Sequence, residues 1–267
     1  MKTETASRLR GRIESILDWA KVRGYRSGEN PAAWRGHLDK ILPSRTKVQK
    51  VRHHPALDFR EISAFLQEVR SLRGLGAQAL EFAILTAARS GEVRSAKWTD
   101  IDNASDTWIV PGDLMKGGKE HRIPLSSAAK ALLSEIKKVP DCDLIFPNSQ
   151  NGEMSDMTLT AVIRRLDKAS LKAAGQGWRD RRSDNRVATV HGFRSTFRDW
   201  AGETTAHTRE AIEHALSHQI KDKAEAAYAR GTLFDKRRKL MEDWAKYCEV
   251  KTSVANVLSI NREVVNA

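Results

Sequence analysis

The stretch VHGFRSTFRDW at residues 190–200 is the part of the sequence around which we expect the fold to be organised. Three aromatic residues recur in it at helical spacing and predict an apolar helix face: Phe193, Phe197 and Trp200. His191 and Arg194 lie three residues apart, so they share a second face at the start of that helix. The free N–H groups of a helix start attract phosphate, and a nearby Arg and His strengthen that attraction. A polar face turned to water explains this stretch equally well, so both interpretations stay open.

The composition favours a polyanionic partner. The 267 residues include 46 Lys and Arg against 34 Asp and Glu, a formal net charge of +12. Such an excess is typical of proteins that bind nucleic acid and, less often, anionic membranes, although a surface adapted for solubility has it too. No signal peptide core and no membrane-spanning apolar run is present. Cys142 and Cys248 lie far apart in the sequence and have neither metal-ligand nor redox spacing, which is consistent with a reducing compartment. We therefore expect a soluble intracellular protein.

Hydropathy periodicity predicts a mainly α-helical chain with one small antiparallel sheet, an α+β fold. The two strands are predicted at residues 106–110 and 119–124, with turns supplied by Pro111-Gly112 and Gly117-Gly118. Gly91 is predicted to permit a sharp bend before a short helix. The other helices are predicted at residues 6–22, 31–41, 58–70, 76–88, 126–138, 155–173, 191–203, 208–216, 221–230 and 234–249.

Four regions are predicted along the chain. Residues 1–42 are too few to enclose a core and are interpreted as the remainder of a larger helical module. Residues 43–57 are rich in Lys and Arg and poor in apolar side chains, which indicates a basic linker. Residues 58–250 form the main domain, and residues 251–267 a tail. The polar, basic run at 177–186 is predicted to be an exposed loop.

The motifs of nucleotide-dependent and metal-dependent chemistry are missing from the sequence. It has no Gly-rich phosphate loop, no dinucleotide-binding fingerprint and no nucleophile elbow around a Ser. The pair His53-His54 is interpreted as part of the basic linker, and no Cys/His or Asp/Glu cluster has ligand spacing. We therefore predict neither a metal nor a cofactor.

Several charged or nucleophilic residues stand at unusual places. Arg89 ends an apolar helix, where a charge is costly unless it is paired with Glu92 or meets an anion, and the segment alone supports both. Lys116 and Lys119 flank the turn between the strands, where a basic tip could enter a DNA groove, although such tips are more often only solvated. Tyr228 is one of three tyrosines, and a lone Tyr on a helix is usually a core or rim residue.

Five short motifs in order resemble those of the tyrosine recombinases, specifically the bacteriophage and genomic-island integrases. They are Arg89 with Gly91-Glu92, then Lys116, His191-x-x-Arg194, Leu216-Ser217-His218 and Tyr228. The resemblance covers about residues 58–250 and includes the stretch 237–247. It departs from the family at Ser217, where Gly is common, a change that we expect to affect mainly backbone freedom.

The resemblance implies transesterification at a DNA phosphodiester with neither ATP nor metal. Tyr228 would be the nucleophile and would form a 3′-phosphotyrosyl link with release of a 5′-hydroxyl. Arg89, Arg194 and His218 would stabilise the charge on the non-bridging oxygens of the phosphate. Glu92 would hold Arg89 in position.

Proton transfer and DNA contacts complete the predicted site. By resemblance, Lys116 would protonate the leaving 5′-oxygen, and His191 would accept the proton of Tyr228 or orient the phosphate. Five further residues are predicted to contact the DNA backbone: Lys119, His121, Arg122, Arg181 and Arg182.

The resemblance also implies partners and leaves alternatives. We expect double-stranded DNA attachment sites, a tetramer on DNA, accessory DNA-bending and excision factors, and a place in the bacterial cytoplasm at the nucleoid. Residues 1–42 would be the C-terminal remainder of a helical, SAM-like core-binding domain. A truncated DNA-binding remnant without recombination activity and a type IB topoisomerase-like enzyme are the alternatives to an integrase that inserts or excises a prophage or genomic island.

Overall fold

The computed structural model describes residues 3–48, 53–115, 117–218 and 233–250. The chain divides into two compact units, Met1–His53 and His54–Ala267. The predicted helix at 221–230 and the predicted tail at 251–267 lie outside the described residues. None of the described helices is both long and apolar enough to cross a membrane.

The first unit is built on one long helix, α1 (Thr3–Val22), followed by the short helices α2 (Asp39–Ile41) and α3 (Arg45–Val48). Glu14 of α1 holds the loop that follows this helix. The Asn30 Nδ2 donates to the carbonyl of Glu14 at 2.9 Å, and the Trp34 N–H donates to Glu14 Oε1 at 3.0 Å. The apolar side of α1 is not covered within this unit, where no residue of the helix is buried.

The predicted helix at 31–41 is interrupted. Arg35 and Gly36 leave helical backbone angles inside the turn Trp34–Leu38, so only α2 remains regular.

The second unit contains eight described α-helices and two small antiparallel sheets. The helices are α4 (Ile62–Ser71), α5 (Leu75–Thr86), α6 (Ser90–Arg94), α7 (Ser127–Glu135), α8 (Thr158–Ala174), α9 (Gly192–Thr204), α10 (Arg209–Ala215) and α11 (Phe234–Glu249). The strands are β1 (Ile101–Asp102), β2 (Thr107–Val110), β3 (His121–Pro124), β4 (Arg179–Asp180) and β5 (Arg186–Val187). The prediction of a mainly α-helical fold with a small antiparallel sheet is confirmed.

Helix α5 is the centre of this unit. Its apolar residues point in all directions, and Leu80, Phe82 and Leu85 are almost fully buried. A helix that is apolar on every side must be surrounded by other elements, and α5 contacts α4, α6, α7, α8, α9 and α11.

Helix α9 carries the predicted aromatic face, and that prediction is confirmed. Phe193 stacks on Phe65 of α4 with ring centroids 5.0 Å apart, and Phe197 meets Trp244 of α11 edge-on at 5.5 Å. Trp200 lies 4.9 Å from the same Trp244. These aromatic contacts bury one side of α9, so its start, with His191 and Arg194, is held in a fixed place.

The larger sheet has the order β1-β2-β3, with Trp108 paired to Ile123 and Val110 paired to His121. The two strands predicted at 106–110 and 119–124 are confirmed as β2 and β3, and the short β1 was not predicted. The indole of Trp108 packs on Phe82 with ring centroids 5.1 Å apart, which fixes the sheet to the central helix.

The predicted bend at Gly91 is wrong. Gly91 lies inside α6, and the chain turns earlier, where Ala87 adopts a left-handed conformation with φ of 50° and ends α5. An Ala has no special freedom for this backbone, so the surrounding structure must hold it there.

The predicted exposed loop at 177–186 is partly wrong. It contains β4 and leads into β5, and Trp178 is buried with its indole N–H donating to Glu68 at 2.8 Å. Arg179 pairs with the buried Asp167 at 3.0 Å. The polar composition of this run suggested a loop. The prediction missed the hairpin because the residues that fix it come from α4 and α8, which are distant in sequence.

The chain enters the second unit along the start of α9. The buried Pro55 places its carbonyl against this helix, where it accepts hydrogen bonds from the Thr189 N–H at 3.0 Å and from Thr189 Oγ1 at 3.2 Å. A Cβ atom on Gly192 would lie 1.8 Å from the same carbonyl oxygen. Only a glycine leaves room for this close approach of two backbones.

Gly192→Ala is therefore expected to lower the free energy of unfolding by about 1–3 kcal/mol, because the added methyl group must displace Pro55. Urea unfolding followed by tryptophan fluorescence measures this change. Gly202→Ala in the same helix is the control, since a Cβ there meets nothing within 4 Å. It should be neutral or stabilising by up to about 1 kcal/mol. Equal effects of the two substitutions would contradict the close approach at Gly192.

Candidate active site

Arg89 is fixed at the turn between α5 and α6 by Glu92. The backbone N–H of Arg89 donates to Glu92 Oε2 at 2.8 Å, and its Nη1 donates to Oε1 at 2.6 Å. The Glu92 side chain is 3% exposed, whereas that of Arg89 is 29% exposed. The carboxylate is thus buried behind the guanidinium, which stays accessible to an anion from the solvent side.

Arg194 lies deeper and joins three segments. It is 4% exposed, and its two terminal nitrogens donate to the carbonyls of Ala87 and Leu216. Its Nε is buried without a hydrogen-bond partner among the described residues. Burial, with a contribution from Arg89, lowers the pKa of Arg194 to about 10, so it stays cationic at neutral pH.

His191 immediately precedes α9 and is neutral at neutral pH. Desolvation lowers its pKa to about 4, and the neighbouring His54, Arg194, Arg89 and His218 act in the same direction. The ring of His54 lies 4.5 Å from that of His191, centroid to centroid. A neutral imidazole can accept a proton, which is the property that a base requires.

His218 follows the end of α10 and is oriented by a carboxylate. Its Nδ1 lies 2.7 Å from Glu213 Oε2, and Arg198 Nε donates to the other oxygen of Glu213 at 2.7 Å. Burial raises the pKa of Glu213, but the hydrogen bonds from Arg198 and His218 prevail and hold it below the usual range. The carboxylate favours hydrogen on Nδ1, so Nε2 is the atom left to face a ligand.

Ser217 forms the turn that brings His218 to this place. Its φ of 49° lies in the left-handed region, which glycine adopts most readily. The carbonyl of Ser217 accepts a long hydrogen bond from Arg89 Nη2 at 3.4 Å. The turn is thus tied to the Arg89 guanidinium.

Five predicted site residues therefore come together: Arg89, Glu92, His191, Arg194 and His218. Lys116 and Tyr228 lie outside the described residues. Two residues that contact the site were not predicted, namely Glu213, which contacts His218, and His54, which contacts His191. Glu213 was not assigned a role because its contact with His218 depends on the turn at Ser217. His54 was interpreted as part of the linker because nothing in the neighbouring sequence indicates that residue 54 packs beside α9.

The residues predicted to contact the DNA backbone differ in their surroundings. Lys119 and Arg122 are exposed, and Arg122 pairs with Glu120 at 3.0 Å on the surface. His121 turns inward, with its Nε2 3.4 Å from the carbonyl of Ala215. Burial and the nearby Arg237 lower its pKa to about 4. A neutral, inward ring does not favour the predicted phosphate contact of His121.

Arg181 and Arg182 both stand near carboxylates. Arg181 Nη2 lies 2.8 Å from Glu61, and Arg182 lies 4.0 Å from Asp58 and 3.8 Å from Asp199. Both side chains are mostly exposed, so these pairs are weak. Their contact with DNA stays a prediction.

The chemistry of this arrangement is recognition of an anion. Two arginine side chains and an imidazole come together from the α5–α6 turn, the start of α9 and the end of α10, and Glu92 and Glu213 contact Arg89 and His218. Such preorganised donors stabilise negative charge on phosphate oxygens. Within residues 3–48, 53–115, 117–218 and 233–250, no group of three or more His, Cys, Asp or Glu could hold a metal ion.

Glu92→Gln is expected to lower the free energy of unfolding by about 1.5–3 kcal/mol, because it removes the charge that balances Arg89 in a buried contact. The matched control is Glu120→Gln, which breaks a surface pair with Arg122. That change should cost less than about 1 kcal/mol. Urea unfolding of the two variants compares them, and equal costs would exclude a special role for the Glu92 contact.

The low pKa of His121 predicts a pH dependence of stability. Its pKa of about 4 in the folded chain lies below the ordinary 6.5, so between these values the unfolded chain binds more protons. The contribution of His121 is therefore present above pH 6.5 and is lost as the pH falls toward 4, with a slope of at most about 1.4 kcal/mol per pH unit. His121→Gln should flatten the dependence of urea unfolding on pH in this window. An unchanged slope would contradict the buried position of the ring.

Comparison with known proteins identifies the family of this chain. A family model described as the phage integrase family matches residues 55–232, and one described as the phage integrase central domain matches residues 1–37. The integrase of Enterobacteria phage P4 is 29% identical over 93% of this chain and 56% of its own length. The chain thus spans between 39% and 62% of the length of the curated relatives that it matches.

Solved structures share the fold. A lambda integrase tetramer bound to a Holliday junction matches 83% of this chain and 60% of its own, with a TM-score of 0.57 and 20% identity. The Tn1549 transposon integrase in complex with circular intermediate DNA matches 90% of this chain and 79% of its own, with a TM-score of 0.58 and 15% identity. Because the first family model spans more than half of the sequence, the chain belongs to the phage integrase family of tyrosine recombinases.

Proposed function

We propose that this chain is a site-specific DNA recombinase that cleaves and rejoins DNA through a 3′-phosphotyrosyl intermediate, and so integrates or excises a prophage or genomic island. Family membership supports the reaction class. The observation that carries the proposal is that Arg89, Arg194, His191 and His218, which come from three motifs distant in sequence, lie close together. A solvated polar face would not require their contacts with buried carbonyls and carboxylates.

Tyr228 is the nucleophile in this proposal. Its hydroxyl oxygen attacks the scissile phosphorus, the bond from phosphorus to the 5′-oxygen breaks, and a 3′-phosphotyrosyl ester forms. Attack by a 5′-hydroxyl from another strand reverses the step and joins the new strands. The energy of the phosphodiester is kept in the covalent link, so the exchange consumes neither ATP nor another cofactor.

The cationic residues act on the phosphate. Arg89, with its buried Glu92 partner, presents a fork of donors to the non-bridging oxygens, and His218 adds Nε2. In the described structure Arg194 is buried and holds the carbonyls of Ala87 and Leu216, so in this proposal it orders the site and adds positive charge near the phosphate. Donors that are oriented in advance stabilise developing charge with little rearrangement, which supports these roles.

His191 and Lys116 transfer the protons. The neutral His191 accepts the proton of Tyr228, and a bound phosphodiester favours this step because a negative charge nearby raises the pKa of an imidazole. Lys116 donates a proton to the leaving 5′-oxygen. An orienting role of His191 toward the phosphate is the alternative assignment.

The proposed partner is double-stranded DNA that carries attachment sites. The net charge of +12 favours it, and Lys119, Arg122, Arg181 and Arg182 are the proposed backbone contacts. A tetramer on DNA is proposed because the lambda integrase structure of the same fold is a tetramer on a Holliday junction. Accessory DNA-bending and excision factors and a location at the bacterial nucleoid belong to the same proposal.

The nucleophile is tested with a nicked suicide substrate that carries the attachment core. Wild-type protein should form a covalent protein–DNA adduct, and Tyr228→Phe should lower the rate of its formation about 1,000-fold or more, because no other group replaces the phenol. Denaturing gel electrophoresis detects the adduct. Tyr247→Phe is the matched control, since Tyr247 lies in an aromatic cluster with Trp200 and Trp244.

Two outcomes would change the proposal. An adduct that survives in Tyr228→Phe would exclude this residue as the nucleophile. Salt-sensitive DNA binding without any adduct from the wild type would support the DNA-binding remnant instead, because phosphate contacts alone give binding that weakens with salt.

A further inference from the structure

The end of the predicted linker, residues 54–57, is attached to α9 and β4 at several points, and we call it the linker end. Besides the contacts of Pro55 with Thr189, the Ala56 N–H donates to Asp180 Oδ2 at 2.9 Å. The carbonyl of Leu57 accepts a hydrogen bond from Thr196 Oγ1 at 2.6 Å. Leu57 itself is 1% exposed in the core. This segment is therefore a fixed part of the second unit.

These contacts also place the backbone of residue 54 beside the start of α9. His54 precedes a proline, which restricts its backbone to extended conformations. The following Pro55 lies against Gly192, where a Cβ would be 1.8 Å from its carbonyl oxygen. His54 is thus held beside the start of α9, next to His191.

The rings of His54 and His191 are in contact. Their centroids are 4.5 Å apart, and their planes are inclined by 55°. Within the part of the chain that the structure describes, His54 is the one aromatic ring that contacts His191. Arg89, Arg194 and His218 act on the imidazole electrostatically, but such charges do not hold a neutral ring in one orientation.

We propose that His54 is a positioning residue that holds the His191 imidazole in its reactive orientation. This role rests on the proposed function, because it matters for the reaction only if His191 faces Tyr228 or the phosphate. The ring of His54 restricts rotation of His191 about its side-chain bonds. Catalytic groups need such support, since a misplacement of about 1 Å can cost about 100-fold in rate.

The experiment compares His54→Ala with His54→Phe, which keeps an aromatic ring at the same place. His54→Ala should slow adduct formation on the suicide substrate about tenfold at saturating DNA, while the Kd for DNA stays within about twofold of the wild type. His54→Phe should restore most of the rate. His53→Ala removes the neighbouring histidine and should leave the rate close to that of the wild type.

A second readout does not depend on the reaction. The NMR signal of the His191 ring Cε1–H group should shift in His54→Ala, because the ring current of its neighbour is lost, and should move less in His54→Phe. If the wild type forms no adduct, the proposed function fails, and this signal alone still tests the ring contact. A His54→Ala rate equal to that of the wild type, a His54→Phe rate as low as that of His54→Ala, or an unmoved His191 signal would each overturn the positioning role.

Discussion

The buried guanidinium of Arg194 is the interaction on which the arrangement of the site depends. Removing an arginine from water is costly unless its donors are satisfied. The two terminal nitrogens of Arg194 meet this requirement with the carbonyl of Ala87, at the end of α5, and with that of Leu216, at the end of α10, while its Nε has no partner among the described residues. Both carbonyls immediately precede site segments, since Ala87 leads to Arg89 and Leu216 leads to His218. One side chain thereby holds two of the other cationic groups in register with α9, while the aromatic contacts of Phe197 and Trp200 hold α9 itself.

Much of the fold could be predicted from the sequence because its signals are local. The aromatic face of α9, the all-round apolar character of α5 and the turn residues between β2 and β3 are each visible within a short window. The predictions were wrong where residues that are distant in sequence determine the local backbone conformation. The chain turns at Ala87 rather than Gly91 because the carbonyl of Ala87 is held by Arg194, and residues 177–186 form a hairpin because Asp167 and Glu68 bind its start.

The contacts of the site also divide into those that local spacing predicts and those that depend on distant residues. The contact between Arg89 and Glu92 joins residues three apart, so the spacing alone suggested it. Glu213 contacts His218 because of the left-handed turn at Ser217, and His54 contacts His191 because residues 54–57 pack on the second unit, and neither contact has a local pattern. The basic character of residues 43–57 suggested a uniform linker, but residues 54–57 are fixed in the second unit. The roles of Lys116 and Tyr228 rest on resemblance and stay predictions.

The close approach of Pro55 to Gly192 has a consequence for the design of fragments of this protein. A fragment that starts at residue 58, where the main domain was predicted to begin, would lack the carbonyl of Pro55, and the Thr189 N–H and hydroxyl would lose their acceptor. The surface left bare at Gly192 would fill with water beside His191. Residues 54–57 are therefore part of the second unit beside His191, and a fragment meant to keep this arrangement should retain the chain from His54 onward.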